Sequence, residues 1–448
     1  MKVNLRQKLN NKHFLSLCGN AVMAGLSVVT IGLLYHNLTI KEVGGYVFFQ
    51  ATFTLLDTAR AGFLQNALIK FYAGTERERG EEVLGGIWFL GLVITAIPFC
   101  ITVPLLFALP FIENLGMQLI IKWFSLLFLL TLPIAITNWI RQANNDFGKI
   151  LFVRVLSQGS FILLLTVLLF SRHMTLNNVL LANFCCYFIT ASVVLASRWS
   201  HISTILKRKR ESIRQIFDFG KFSVGTTISS NLLRSSDTFI INFMLGPAAV
   251  AIYNLPQRLL EIIEIPLRSF MATGITALSS ASNRNDNKEV SRIMKKYAGF
   301  LTLIIVPIAV IAIIFADVAI ALLGGEAYAG TAAANVFRIF MIFGILFPIE
   351  RFQGVTLDMI HKPHLNLIKV LLMLTVNVVG DLVGIYLLGN VYGVALASIP
   401  TFLIGIWFGY RALRRYIDHS FTDVFKVGYR EWRTVLINGL PKSKVVSN

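Results

Sequence analysis

The chain has 448 residues, of which 55% are hydrophobic and only 14% charged, and it carries a net charge of +18. A soluble domain has about 25% charged residues, and a globular core of this composition would leave large apolar patches in water. An ordinary soluble protein is therefore excluded. The basic excess lies between apolar runs, which is where membrane-protein loops carry charge, so no nucleic-acid partner is expected.

A bilayer-spanning helix needs roughly 20 mostly apolar residues. From the N-terminus, such runs lie near 13–36, 44–72, 84–108, 117–140, 150–171, 176–198, 217–244, 248–278, 293–316, 332–357, 365–388 and 391–411. They are too long and continuous for barrel strands. The prediction is an all-α integral membrane protein with about twelve transmembrane helices. The first run follows basic residues but no small-residue cleavage site, so it is read as a retained helix and not a signal peptide.

Loop charge sets the expected orientation. The N-terminus and the even-numbered loops hold Lys2, Arg6, Lys8, Lys12, Arg77, Arg79, Arg141, Lys149, Arg284, Lys288, Arg292 and Lys362. The odd-numbered loops hold little beyond Lys41 and Arg172. Both termini are thus expected in the cytoplasm. The tail mixes Arg414, Arg415, Lys426, Arg430 and Arg433 with Tyr416, Phe421, Phe425, Tyr429 and Trp432. That pattern predicts a basic amphipathic segment on the anionic inner leaflet, with a disordered tail as the alternative.

Residues 38–83 align with 245–290 at a constant offset of 207, with Leu38/Leu245, Val43/Val250, Tyr46/Tyr253, Gln50/Gln257, Phe63/Phe270, Arg77/Arg284, Glu82/Glu289 and Val83/Val290 identical. Asp57 falls on Glu264. A repeat of this kind predicts two six-helix lobes, 1–198 and 217–411, joined by a basic cytoplasmic linker at 199–216 and followed by a tail at 412–448. Parallel halves imply a central cavity between them.

Ionisable residues near the bilayer centre cost about 2.5–3.5 kcal/mol each on insertion scales. The spans nevertheless contain Asp57, Arg60, Arg234, Asp237, Arg258, Glu261, Glu264, Arg268, Arg338, Glu350, Arg351 and Asp381. Gln257, Glu261, Glu264 and Arg268 recur on one helical face, and Gln50, Thr54, Asp57 and Ala61 occupy the matching positions of the second span. The candidate anion-binding cations are Arg60, Arg234, Arg258, Arg268, Arg338 and Arg351, because the planar guanidinium grips phosphate bidentately. The candidate coupling or gating carboxylates are Asp57, Asp237, Glu261 and Glu264. The competing reading is local ion pairs that only hold helices together: Arg258 with Glu261, Glu264 with Arg268, Asp57 with Arg60.

Much chemistry is missing from the sequence. There is no Walker-type phosphate loop and no H-E-x-x-H or paired CxxC motif. Cys18, Cys100, Cys185 and Cys186 all lie in apolar runs and read as small hydrophobes. The loops on the expected outer side are short, which argues against a glycan-building enzyme. No metal or cofactor is expected.

Two stretches carry a family resemblance. Residues 235–291, with Ser-Ser-Asp-Thr-Phe-Ile-Ile, Met-Leu-Gly-Pro-Ala-Ala-Val-Ala-Ile-Tyr-Asn-Leu and Ala-Leu-Ser-Ser-Ala-Ser-Asn-Arg, resemble the seventh-to-eighth-helix region of polysaccharide flippases. Residues 377–397 resemble their eleventh and twelfth helices, Val43-Gly44-Gly45-Tyr46 is the first-half counterpart, and Asn145-Asp146-Phe147-Gly148-Lys149 resembles the turn into the fifth helix. The chain thus looks like the polysaccharide-transport branch of the multidrug/oligosaccharidyl-lipid/polysaccharide exporter superfamily. The resemblance implies two six-helix lobes around a cavity, and flipping of undecaprenyl-pyrophosphate-linked oligosaccharides across a bacterial inner membrane by alternating access. It implies a lipid-linked oligosaccharide and membrane lipids as partners, with polysaccharide-assembly proteins beside them, and leaves a proton or Na⁺ as the coupling ion. The alternatives are a multidrug or cation antiporter using Asp57, Glu261 and Glu264, and a membrane enzyme acting on lipid-linked sugars.

Overall fold

The structure, a computed structural model, describes residues 12–438 apart from Ala73, Asn145 and His419. Lys2, Arg6, Lys8 and Asn145 lie outside the described residues, as do the side chains of Lys12, Cys18, Arg268 and Phe421.

The described residues form helices: α1 Lys12–Asn37, α2 Ile40–Tyr72, α3 Arg77–Leu105, α4 Leu115–Ala143, α5 Phe147–Phe170, α6 Leu176–Ala196, α7 Arg210–Met244, α8 Pro247–Asn283, α9 Asn287–Ile314, a broken α10 (Ala333–Gly344 and Phe347–Met359), α11 Pro363–Leu388, α12 Val391–Leu413 and α13 Phe421–Asn438. Each of the twelve expected spans falls on one of α1–α12. Among the described residues, seven helices are long and apolar enough to cross a membrane, or eight if the α10 halves are one span. α2, α7 and α8 carry charges within their apolar runs.

Local chemistry sets the boundaries. Asn114, Asp146, Thr175, Asp286 and Asn390 each accept a backbone N–H of the helix they open, which satisfies donors that would otherwise be orphaned. The two halves of α10 meet at 49°, just before Pro348. A proline has no N–H to donate to the preceding turn, and its ring crowds the turn before it, which favours a break there. Gly389 ends α11 at φ +65°, a left-handed conformation that glycine adopts at no steric cost. Beyond it α11 and α12 pack through small residues: Gly384 backs on Gly393, and Gly380 on Ala397. This four-residue spacing on both helices is how membrane helices approach closely.

Many large apolar side chains point outward. On α5, Leu163, Val167 and Phe170 line one exposed face; on α11, Val379, Val383 and Tyr386 do the same. An apolar surface this continuous belongs against lipid.

By contact the chain divides into two compact units. The first comprises Met1–Asn242, Gly246–Ala251 and Leu323–Ala327; the second comprises Phe243–Leu245, Ile252–Leu322 and Tyr328–Asn448. The first is centred on Leu64, Leu68, Ile87, Trp88, Leu132 and Ile136, and Ile216 of α7 joins that core. In the second, Tyr253 meets Phe340 edge-on at 5.2 Å and Phe343 stacks on Phe402 at 5.2 Å. Division by contact and division by repeat cut the chain differently, because α7 packs on α2 and α3. The repeat register is still visible: α2 begins at Ile40 and α8 at Pro247, again 207 apart.

The basic linker is clamped to the start of α3. Trp88 Nε1 donates to the Ser200 carbonyl at 2.8 Å, and Lys207 Nζ donates to Glu81 at 2.5 Å. Lys209 pairs with Glu82. Arg79 bridges Glu82, Ser212 and Gln215.

Candidate functional site

The first unit has a charged centre on α2. Arg60 is 1% exposed. Its guanidinium donates to Asp57 Oδ1 at 2.5 Å, Thr131 Oγ1 at 2.9 Å, the Phe128 carbonyl at 2.8 Å and Thr95 Oγ1 at 3.2 Å. It also lies 3.9 Å from the centroid of the Phe128 ring. These partners belong to α2, α3 and α4, so Arg60 ties three helices together. A buried guanidinium is tolerated when its donors are met in this way; here both Nη groups are met, and Nε has no partner among the described residues.

Asp57 differs from its partner, with its side chain 38% exposed. The expected stripe on α2 is accessible along its length: Thr54 is exposed, and Gln50, Asp57 and Ala61 are partly so. Gln50 Nε2 donates to Tyr46 Oη at 2.9 Å, one turn away. Arg60, three residues on, faces inward. On α7, also in this unit for these residues, Arg234 is exposed and Asp237 buried.

The second unit carries the matching stripe on α8. Arg258 Nη1 donates to Glu261 Oε2 at 3.1 Å and Arg258 Nε to Asn254 Oδ1 at 3.3 Å, while Asn254 Nδ2 donates to Gln257 Oε1 at 3.3 Å. The Arg258 and Glu261 side chains are 35% and 47% exposed. They sit 11 and 14 residues into a 37-residue helix, or about 17 and 21 Å along its axis. Glu264 lines a small cavity of about 10 Å³ with Leu260, Leu267, Met341 and Phe347, room for about one water. Arg268 lies on the same helix with its side chain outside the described residues.

The other two candidate cations are engaged elsewhere. Arg338 donates to Asp317 Oδ2 at 2.5 Å, Asn335 Oδ1 at 2.6 Å and the Ile313 carbonyl at 3.3 Å, joining the start of α10 to the end of α9. Arg351 pairs with Glu350 at 3.6 Å. Of the local ion pairs weighed against a binding role, Asp57–Arg60 and Arg258–Glu261 are formed; Glu264–Arg268 lies outside the described residues.

One group was missed from sequence. Lys369 of α11 is buried and donates to Glu350 Oε1 at 2.8 Å. It opens a buried face of Lys369, Met373, Asn377, Asp381 and Ile385 at four-residue spacing. That period was legible and would have marked Lys369 as an inward-facing cation.

Long apolar helices with lipid-facing flanks, and charge set into their middles, define a multi-pass membrane protein. Residues 9–275 match the polysaccharide biosynthesis protein family, over half of the chain, and the chain belongs to that family. Residues 223–383 match the MatE family. The chain is 23% identical over 253 residues to the probable low-salt glycan biosynthesis flippase Agl15 of Haloferax volcanii, a match covering 56% of this chain and 52% of that one. It thus spans about half the length of that curated relative. Its fold is similar to that of the lipid II flippase MurJ in an inward closed conformation (TM-score 0.74, 12% identity, 94% of this chain and 91% of the other). It is also similar to an inward-facing multidrug resistance MATE family transporter of the MOP superfamily (TM-score 0.72, 15% identity, 88% and 95%).

Proposed function

We propose that this protein is a flippase that moves an undecaprenyl-pyrophosphate-linked oligosaccharide across a bacterial cytoplasmic membrane by alternating access. It is a transporter and not an enzyme. The observation that carries the reading is the part-exposed Arg258–Glu261 pair at mid-span on α8, with part-exposed Asp57 on the matching polar stripe of α2, at the place of Glu264. Groups this polar cannot face hydrocarbon without a cost of about 2.5–3.5 kcal/mol each, so their open surface faces water. Family membership gives that wet surface a glycan context, and the names of Agl15 and MurJ agree with it.

On this reading 1–198 and 217–411 are two six-helix lobes, and both termini are cytoplasmic. Arg258 and Arg268 hold the pyrophosphate, whose desolvation demands cationic donors, and Arg234 is a further candidate cation on α7. Asp57 and Glu261 partner the arginines in the empty state, and a proton or Na⁺ on one of them couples the cycle. Polysaccharide-assembly proteins act on either side of the step. The MatE match over 223–383 supports a second reading, a cation-coupled drug antiporter. Deleting the gene decides between them: a lipid-linked oligosaccharide stranded on the cytoplasmic leaflet supports the flippase, and unchanged glycan lipids with raised drug sensitivity support the antiporter.

A further inference from the structure

The C-terminal helix α13 is not needed to build either polar stripe, yet it is held firmly on the second unit. Gly428 backs directly on Gly299 of α9, and Val424 packs beside it. Ser291 Oγ donates to the Asp418 carbonyl, and buried Lys295 pairs with Asp423 at 3.7 Å. The docked face therefore runs through Val424 and Gly428.

The rest of α13 sorts into two stripes. At about 100° per residue, and counting from Val424, Trp432, Phe425 and Tyr429 fall at about 80°, 100° and 140°. Arg433, Lys426 and Arg430 fall at about 180°, 200° and 240°. All six are exposed, the aromatics at 38% (Phe425), 57% (Tyr429) and 39% (Trp432). Tyr429 and Trp432 stack at 6.3 Å. The helix thus presents an aromatic edge beside a basic edge, with its third side against protein.

The position of α13 says what it meets. It touches α9 at Lys295 and Gly299, and Asp418, just before it, meets Ser291. The outward apolar face of α9 begins at Val306 and continues through Val310, Ile311 and Ile314. From Gly299 to Val306 is about 10 Å of helix rise. The helix is therefore fixed at the level where the hydrocarbon face ends, the depth at which tryptophan and tyrosine settle and basic side chains meet phosphate.

We propose that α13 is an interfacial clamp: its Phe425–Tyr429–Trp432 edge inserts among the headgroups of an anionic phospholipid surface, and Lys426, Arg430 and Arg433 bind the lipid phosphates. The occupant is the membrane in which the protein itself sits. The argument uses only the charge and aromatic pattern and the depth set by α9, so it stands whatever the transported substrate is.

The test uses the full chain in nanodiscs of phosphatidylcholine alone or with phosphatidylglycerol. The fluorescence of Trp432 is isolated as the difference between the chain and W432F. With phosphatidylglycerol present, acrylamide quenching of that component should fall at least about twofold, quenching by lipids brominated high on the acyl chain should rise, and K426Q/R430Q/R433Q should abolish the lipid dependence. These three positions are exposed, so the variant leaves the docked face intact; a matching elution profile checks this. Equal acrylamide quenching in both lipids overturns the proposal. So does strong shielding in both that the triple variant leaves unchanged, because the face is then covered by protein.

Discussion

Lys369 of α11 holds its ammonium 2.8 Å from Glu350 Oε1 and 3.1 Å from the Glu350 carbonyl, and the two side chains are only 1% and 6% exposed. Arg351 lies 3.6 Å from the second carboxylate oxygen. Neither buried charge survives without the other: removing one partner of such a pair costs about 3–5 kcal/mol, whereas replacing both by apolar groups is often neutral. Lys369→Met should therefore lower the thermal unfolding midpoint of the detergent-solubilised protein sharply, and K369M/E350L should recover most of the loss. A K369M protein of normal stability but without transport would assign the pair to the transport cycle instead.

The linker clamp gives a pH prediction. Accepting a hydrogen bond from Lys207 holds the Glu81 carboxyl below its ordinary value of 4.5, with Arg77 adding to the effect. Lys209, then Arg79, does the same for Glu82. A carboxylate lowered on folding contributes stability above its unfolded value and loses it as pH falls through the folded one. The clamp is thus constant across neutral pH and releases only below 4.5. Hydrogen exchange of amides 202–212, corrected for intrinsic rate, should stay flat at neutral pH and rise in acid. E81Q/E82Q should show the acid behaviour already at neutral pH; a variant with unchanged exchange would show that the linker is held by Trp88 and packing alone.

Most spans were legible as long apolar runs, and lipid leaves a helix no alternative way to meet its backbone; the break in α10 was not legible in that pattern. The ion pairs at Asp57–Arg60 and Arg258–Glu261 were legible as three-residue spacings. Arg60's burial was not, since its acceptors Thr95, Phe128 and Thr131 lie on other helices and have no mark in the local pattern. Lys369's inward position was legible in the four-residue period of α11, but its partner Glu350 lies across a helix pair and left no local mark. The docking of α13 depends on a glycine–glycine contact between residues 299 and 428, and no periodicity within either segment announces it.

Orientation rests on loop charge and has a direct test. In a cysteine-free background, single cysteines within 109–113, 171–174 and 324–328 should react with an impermeant thiol reagent added to intact cells. Cysteines within 75–79 and 205–211 should react only after lysis. The reverse pattern would place both termini outside.

The arginines should separate by role, because the structure gives them different surroundings. Arg60 is sealed, and its four acceptors on three helices are left unmet when it is removed, so Arg60→Ala should lower folded yield and stability before any transport is measured. Arg60→Lys returns charge but not the planar fork, and should recover only part of the yield. Arg338, tied to Asp317 and Asn335 at helix ends, should behave as a milder version of the same. Arg258 is part-exposed and, among the described residues, paired along its own helix, so Arg258→Ala should insert and elute normally. Its loss should appear in transport: one charge-assisted contact to a phosphate is worth about 1.5–3 kcal/mol, or about 10- to 150-fold in binding. Arg258→Lys should restore a fraction of that. The readout is the rate at which a lipid-linked oligosaccharide becomes accessible on the far side of reconstituted vesicles, alongside the unfolding midpoint. If Arg258→Ala keeps full transport, or loses stability as Arg60→Ala does, then Arg258 only braces α8 and the anion site must be sought elsewhere.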